Sequence, residues 1–221
     1  MVTKKRPWFP GACYHITNRG NNKQKIFLND DDYKMYMYFV KDTLNFYEEL
    51  NFKLISYCLM PNHIHLLLKT DSQDPAVFMR RLNSLYAKYF NNKYEYVGHL
   101  FQGRYFSNII TSDYELLEVS KYIHLNPVKA NIVKLPENYT WSSFNKILST
   151  SKHIPTNLYI HSEEILDIID IYFLIENSRD CLNINKNFKN LDKKEKYKLY
   201  VNMPLGCPWG APEAYTEIYI G

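Results

Sequence analysis

SYCLMPNHIHLLLK (residues 56–69) holds two apolar runs interrupted by a single Pro-Asn pair. Runs of this length with apolar flanks are typical of buried strands, and Pro61-Asn62 is turn-like, so FKLISYCLM (52–60) and HIHLLLK (63–69) are predicted to be two strands joined at that pair. A strand turns successive side chains to opposite faces, which puts His63 and His65 on one face, roughly 7 Å apart along the backbone. Two neutral imidazoles facing the same way in an apolar strand need hydrogen-bond partners or a cation. They can therefore be satisfied core histidines or a metal-chelating pair.

The flanking sequence arranges itself around this pair of strands. Upstream, ACYHITNR (12–19) alternates like a strand and stops at Gly20, and DDDYKMYMYFVKDTLNFYEEL (30–50) reads as a helix with Asn29 or Asp30 as its cap. Downstream, PAVFMRRLNSLYAKYFNNKY (75–94) is a helix with Asp74 at N-cap and Pro75 at N1. RYFSNIIT (104–111) is a fourth strand, and SDYELLEVSKYIHLN (112–126) a helix that Pro127 ends or bends. The order β-α-β-β-α-β-α predicts an α+β, ferredoxin-like (RRM-like) split βαβ: an antiparallel sheet with helices on one face and the other face free for a ligand. Residues 1–148 make this domain. Residues 149–221 are expected to be a helical appendage, with helices at 162–177 and 192–202 and an irregular tail.

A chain of 221 residues can bury one substantial core. No apolar stretch approaches a membrane span and no apolar region follows the basic N-terminus, so neither a membrane protein nor a secreted one is expected, and the location reads as cytoplasmic. Cys13, Cys58, Cys181 and Cys207 are too scattered for a zinc knuckle or a disulfide framework. The net charge of +4 is uneven: the first 150 residues carry 19 Lys and Arg against 13 Asp and Glu, and the remainder 8 against 10. With 20 Tyr and 12 Phe, the basic part has the aromatic and cationic side chains that single-stranded nucleic acid uses for stacking and phosphate contact, although many of these rings will be core.

The predicted last helix carries the second chemical feature. At about 100° per residue Tyr122 and Asn126 share a face, whereas His124 points away from them. A phenol beside an amide oxygen, brought to two imidazoles on a sheet, offers a nucleophile and a third metal ligand. Asn126 can equally serve as a C-terminal helix cap before Pro127. Arg19 and Asn21, with Asn18, in TNRGNN, and Gln102 and Arg104 in FQGRY, sit at strand ends beside glycines where they can approach phosphate. Arg80 and Arg81, with Lys88, are candidates for a DNA groove or a solvated helix face, and Lys4, Lys5 and Arg6 form a small basic arm.

The segments CYHITNRGNNKQKIF (13–27), SYCLMPNHIHLLLK (56–69), GHLFQGRYFSNII (98–110) and KYIHLNPVKANIV (121–133), followed by YTWSS (139–143), resemble the REP-associated tyrosine transposases. These belong to the His-hydrophobic-His single-strand nuclease superfamily, together with the small insertion-sequence transposases. The resemblance spans roughly residues 6–148. It implies a divalent metal held by His63 and His65, with Asn126 where relatives place a third ligand; such ligands suit Mn²⁺, Zn²⁺ or Ni²⁺ better than Mg²⁺ on affinity, and with the abundance of Mg²⁺ in cells the ion expected is Mg²⁺ or Mn²⁺. It also implies Tyr122 as the single nucleophile, a 5′-phosphotyrosine intermediate, and single-stranded or hairpin DNA as partner of a monomer or homodimer. Two other readings stay open: a replication-initiator or relaxase-type nickase, and an RRM-like binding module without catalysis. Tyr114, with Glu118 one turn on, is the runner-up nucleophile.

Overall fold

The computed structural model describes residues 7–148, 158–176 and 191–202. Strands β2 (Lys53–Met60) and β3 (His63–Lys69) form the expected antiparallel pair, with Met60 opposite His63 and Cys58 opposite His65. Strand β1 (Cys13–Arg19) pairs with the other side of β3, and β4 (Phe106–Ile110) with β1, giving an all-antiparallel sheet in the order β2-β3-β1-β4. This is the split βαβ arrangement, and it puts the two segments with chemistry, β3 and β1, at the centre.

Helix α1 (Asp30–Phe46) begins at a capping box: the Asn29 side chain accepts from the amides of Asp31 and Asp32, and the Asp32 carboxylate accepts from the amide of Asn29. It ends four residues earlier than predicted. The chain tightens into a 3₁₀ turn at Glu48–Leu50, closed by Asn51 in the left-handed conformation that asparagine tolerates. Helix α2 (Pro75–Tyr94) starts as expected, with the Asp74 side chain accepting from the Ala76 amide and Pro75 at the first position.

The two faces of the sheet separate by alternation. Tyr14, Ile16, Ile64, Leu66 and Leu68 face one way, fully buried, and share an apolar cluster with Tyr36, Val40, Phe78 and Leu82 of the mutually packed α1 and α2. His15, Thr17, Arg19, His63, His65 and Leu67 face the other way. That second face is not left open: helix α3 (Asp113–Lys129) packs across it against β2 and β3. Helix α3 also runs three residues past its predicted end. Pro127 sits inside its last turn, where the Asn126 carbonyl still accepts from the Ala130 amide and the Pro127 carbonyl from Ile132. Asn126 is therefore not a C-terminal cap, and its side chain is released from that duty.

Residues after α3 close the structure around it. The 141–143 segment lies along the outer edge of β2, the Leu59 amide donating to the Trp141 carbonyl and the Ser143 amide to that of Tyr57, which covers an otherwise open edge. A short helix α4 (Phe144–Leu148) follows. Helices α5 (Glu163–Glu176) and α6 (Lys193–Asn202) fall within a residue of the predicted spans and pack on each other and on α3. The basic arm at 4–6 and the tail beyond 202 lie outside the described residues.

Candidate active site

His63 and His65 project from β3 beneath α3, their rings 4.9 Å apart between centroids and nearly perpendicular. Each ring is held at Nδ1. His63 Nδ1 is 2.6 Å from the Asn62 amide oxygen, and His65 Nδ1 is 3.0 Å from Nε2 of His15 on the neighbouring strand. Burial drives these imidazoles toward the neutral form: His63 down to about 4, with the Arg19 cation adding to the effect, His15 down to about 3, and His65 well below its ordinary value. Neutral imidazoles keep the lone pair that a metal needs.

Helix α3 delivers Tyr122 and Asn126 to this surface. The Tyr122 ring stands edge-on to His65 at 5.6 Å and to His15 at 5.9 Å. Asn126 lies against Tyr122 and both strand β3 histidines, its side chain favouring the charged form of each. Burial raises the phenol's pKa, and the Asn126 hydrogen bond and the Arg19 cation act against that rise. One turn further along the same face, the Lys129 ammonium sits 4.6 Å from the Tyr122 ring centroid. Two polar atoms here are buried without a hydrogen-bond partner, Nε2 of His65 and Nδ2 of Asn126. Among the described residues no three His, Cys, Asp or Glu side chains group around a metal position. The available donor set is two imidazoles and an amide oxygen, which suits a divalent cation and leaves coordination positions open.

His63, His65, Tyr122 and Asn126 line a cleft of about 500 Å³ together with Arg19, Gln102, Arg104 and Phe106. The cleft wall exists because the 99–105 loop zips onto the end of β1: the Asn21 amide donates to the Leu100 carbonyl, and the Gln102 amide to that of Arg19. Gly20 makes the turn possible, since a Cβ there would lie 2.3 Å from the Gln24 carbonyl oxygen and 2.8 Å from Ile26 Cγ2. Of the polar residues predicted to meet DNA, Asn18, Arg19, Gln102 and Arg104 line the cleft. Asn21 stands beside it and does not line it. Arg80 and Arg81 are on α2 and do not line it either; Arg81 pairs with Asp42 at 2.7 Å and lies 3.8 Å over the Phe46 ring.

The turned-away face of α3 is occupied by structure. His124 is buried, with Nδ1 2.7 Å from the Tyr197 hydroxyl and Nε2 2.8 Å from Ser143 Oγ, and Tyr197 also bonds Ser120. Tyr114 is not among the cleft residues, and the Glu118 carboxylate accepts from the Tyr200 hydroxyl. Sequence reasoning missed His15, Phe106 and Lys129. The first has the strand parity of the β1 face that carries Arg19, and the last is seven residues beyond Tyr122, so both signals were present.

A Haemophilus influenzae protein named as a REP-associated tyrosine transposase is 26% identical over 161 residues, spanning 66% of this chain and 87% of that one. The solved structure of a REP-associated tyrosine transposase bound to a REP hairpin matches with a TM-score of 0.57 at 18% identity, covering 72% of this chain and 93% of that one, and so shares the fold. No helix among the described residues is long and apolar enough to cross a membrane. The transposase family described as IS200-like matches residues 10–126, a span that contains the four-stranded sheet, the histidine pair and Tyr122, and the chain belongs to that family of enzymes acting on DNA.

Proposed function

We propose that the chain is a metal-dependent single-strand DNA endonuclease and strand transferase that works through a 5′-phosphotyrosine on Tyr122. The observation that carries this reading is the Tyr122 ring standing 5.6 Å from His65 in a cleft that also holds Asn126 and Arg19. A divalent cation, Mg²⁺ or Mn²⁺, would be held by His63, His65 and Asn126 and would polarise the scissile phosphate.

The residues of the chain supply the rest. Arg19 and Arg104, both lining the cleft, offer guanidinium groups to the phosphate oxygens and hold the backbone across Tyr122. The phenol begins neutral; the Arg19 cation favours the loss of its proton, and the Lys129 ammonium lies over the ring as charge develops. Oη then bonds to phosphorus, the P–O3′ bond breaks, and the departing 3′-oxygen takes up a proton. In the return step a 3′-hydroxyl attacks phosphorus, the Tyr122 Oη–P bond breaks and the phenol is restored, so strands are rejoined without ATP. Phe106, half-exposed on β4 at the cleft, is placed to stack an unpaired base. A hairpin-bearing single strand is the substrate we infer, in keeping with the REP hairpin carried by the solved neighbour.

The test is to incubate the protein with Mn²⁺ and a hairpin-bearing single strand from its own genomic flank. A covalent protein–DNA adduct mapping to Tyr122 by mass spectrometry is expected, absent with chelator and absent in Tyr122→Phe, which loses only a hydroxyl. Hairpin binding without any adduct would instead support a non-catalytic module, and an adduct on Tyr114 would overturn the assignment of the nucleophile.

A further inference from the structure

His15 is buried in the middle of β1, between β3 and β4, with Leu67 and Asn108 as its cross-strand neighbours. An aliphatic side chain would pack there without the cost of burying two ring nitrogens. Instead the imidazole lies nearly parallel to that of His65, centroids 5.2 Å apart and planes 19° apart, with Nε2 3.0 Å from His65 Nδ1. It touches Tyr122 as well, yet does not line the cleft.

A hydrogen bond between two neutral imidazole nitrogens contains one proton, and its ownership fixes both tautomers. If His15 donates, His65 keeps its own proton on Nε2 and has no lone pair to offer there. If His65 donates from Nδ1, its Nε2 lone pair points out, and Nε2 is the buried atom left without a hydrogen-bond partner. His63 provides the parallel: its Nδ1 faces the Asn62 amide oxygen, which can only accept, so His63 also offers Nε2. Both strand β3 histidines are thus gripped from behind at Nδ1, one by a turn residue and the other by a histidine from a separate strand.

We propose that His15 is a positioning residue for the metal, accepting the Nδ1 proton of His65 and so committing that ring to coordinate through Nε2. This rests on the reading of His63 and His65 as metal ligands. Such outer partners orient a ligand and raise its basicity, and losing one weakens metal binding about 10- to 100-fold.

The test is calorimetric titration of the full chain with Mn²⁺ without DNA, alongside Co²⁺ absorption spectra, for wild type, His15→Leu, His15→Gln and His15→Asn. Leucine keeps the packing but removes the acceptor, and should weaken Mn²⁺ about 10- to 100-fold and alter the Co²⁺ spectrum. Glutamine can reach His65 with an amide oxygen and should recover much of the affinity, whereas asparagine is too short and should not; this pair decides the matter even if the leucine variant fails to fold. Hairpin binding in chelator should be unchanged in all folded variants. Wild type that binds no Mn²⁺, or binds it undiminished in His63→Ala, would overturn the metal reading together with this inference. A wild type that binds through His63, with leucine or asparagine variants binding within twofold of it, would overturn the role of His15 alone.

Discussion

Tyr122, Asn126 and Lys129 follow one another on α3 at steps of four and three residues, which on a helix make one face. Each has a different task there: the phenol stands against the histidines, the amide bridges toward them, and the ammonium covers the phenol ring. A cation over an aromatic face is worth about 0.5–2 kcal/mol and gains as the ring oxygen becomes an anion. Lys129→Met should therefore slow single-turnover adduct formation roughly 2- to 30-fold, with Lys129→Arg retaining most of the rate. A methionine variant that reacts at the wild-type rate would remove Lys129 from the mechanism. The spacing of Lys129 was legible in the sequence once Tyr122 was singled out, since helical period is a local property. Its closeness to the ring depended on Pro127 staying inside the helix, and proline propensity argues the other way.

Helix α3 is held from two sides. Its site face lies on β2 and β3, while its far face is fastened by α6: Tyr197 bonds both Ser120 and His124, Tyr200 bonds Glu118, and the Lys121 ammonium lies 4.7 Å from the Tyr200 ring centroid. Removing the hydroxyl of Tyr197 leaves two buried polar groups short of a partner, and each such group costs about 1–3 kcal/mol. Tyr197→Phe is thus expected to lower the stability measured by urea unfolding by about 2 kcal/mol or more, without changing the fold seen by far-UV circular dichroism. An unchanged urea midpoint would mean that α6 does not fasten α3. In the sheet, the alignment of β3 against β1 and β2 does the corresponding work, because a one-residue slip would turn both histidines into the α1–α2 core.

Across the whole molecule, both faces of the sheet are covered, and the histidines enclosed in this way are held neutral. His124 is the clearest case outside the site: it is buried against Tyr197, Ser143 and the Phe144 ring, and burial lowers its pKa to about 3. An unfolded histidine titrates near ~6.5, so the unfolded chain binds the proton first as pH falls. The stability contributed by keeping His124 neutral is full above about pH 6.5 and is lost progressively toward pH 3, by about 1.4 kcal/mol per pH unit. His15 and His63 add to the same slope. Comparing urea unfolding at pH 7 and pH 5, the loss should be about 2 kcal/mol smaller in His124→Gln than in wild type, and equal losses would show that His124 is not held neutral.

The strands and helices were readable in the sequence because alternation, helical period and capping are properties of neighbours in the chain. They placed His63 with His65 and Tyr122 with Asn126, each pair on one face, and the order of elements placed α3 after the fourth strand. Which residues meet across elements was not readable. His15 and His65 are 50 positions apart and join only through the β1–β3 register, and Gln102 and Arg104 reach the cleft only because their loop zips onto residues 19–21. The same holds for His124, which helical period alone turned away from the site and which long-range contacts with Ser143 and Tyr197 made an anchor of the helix. Local sequence specifies the direction in which a side chain points; the packing of distant segments decides what it finds there.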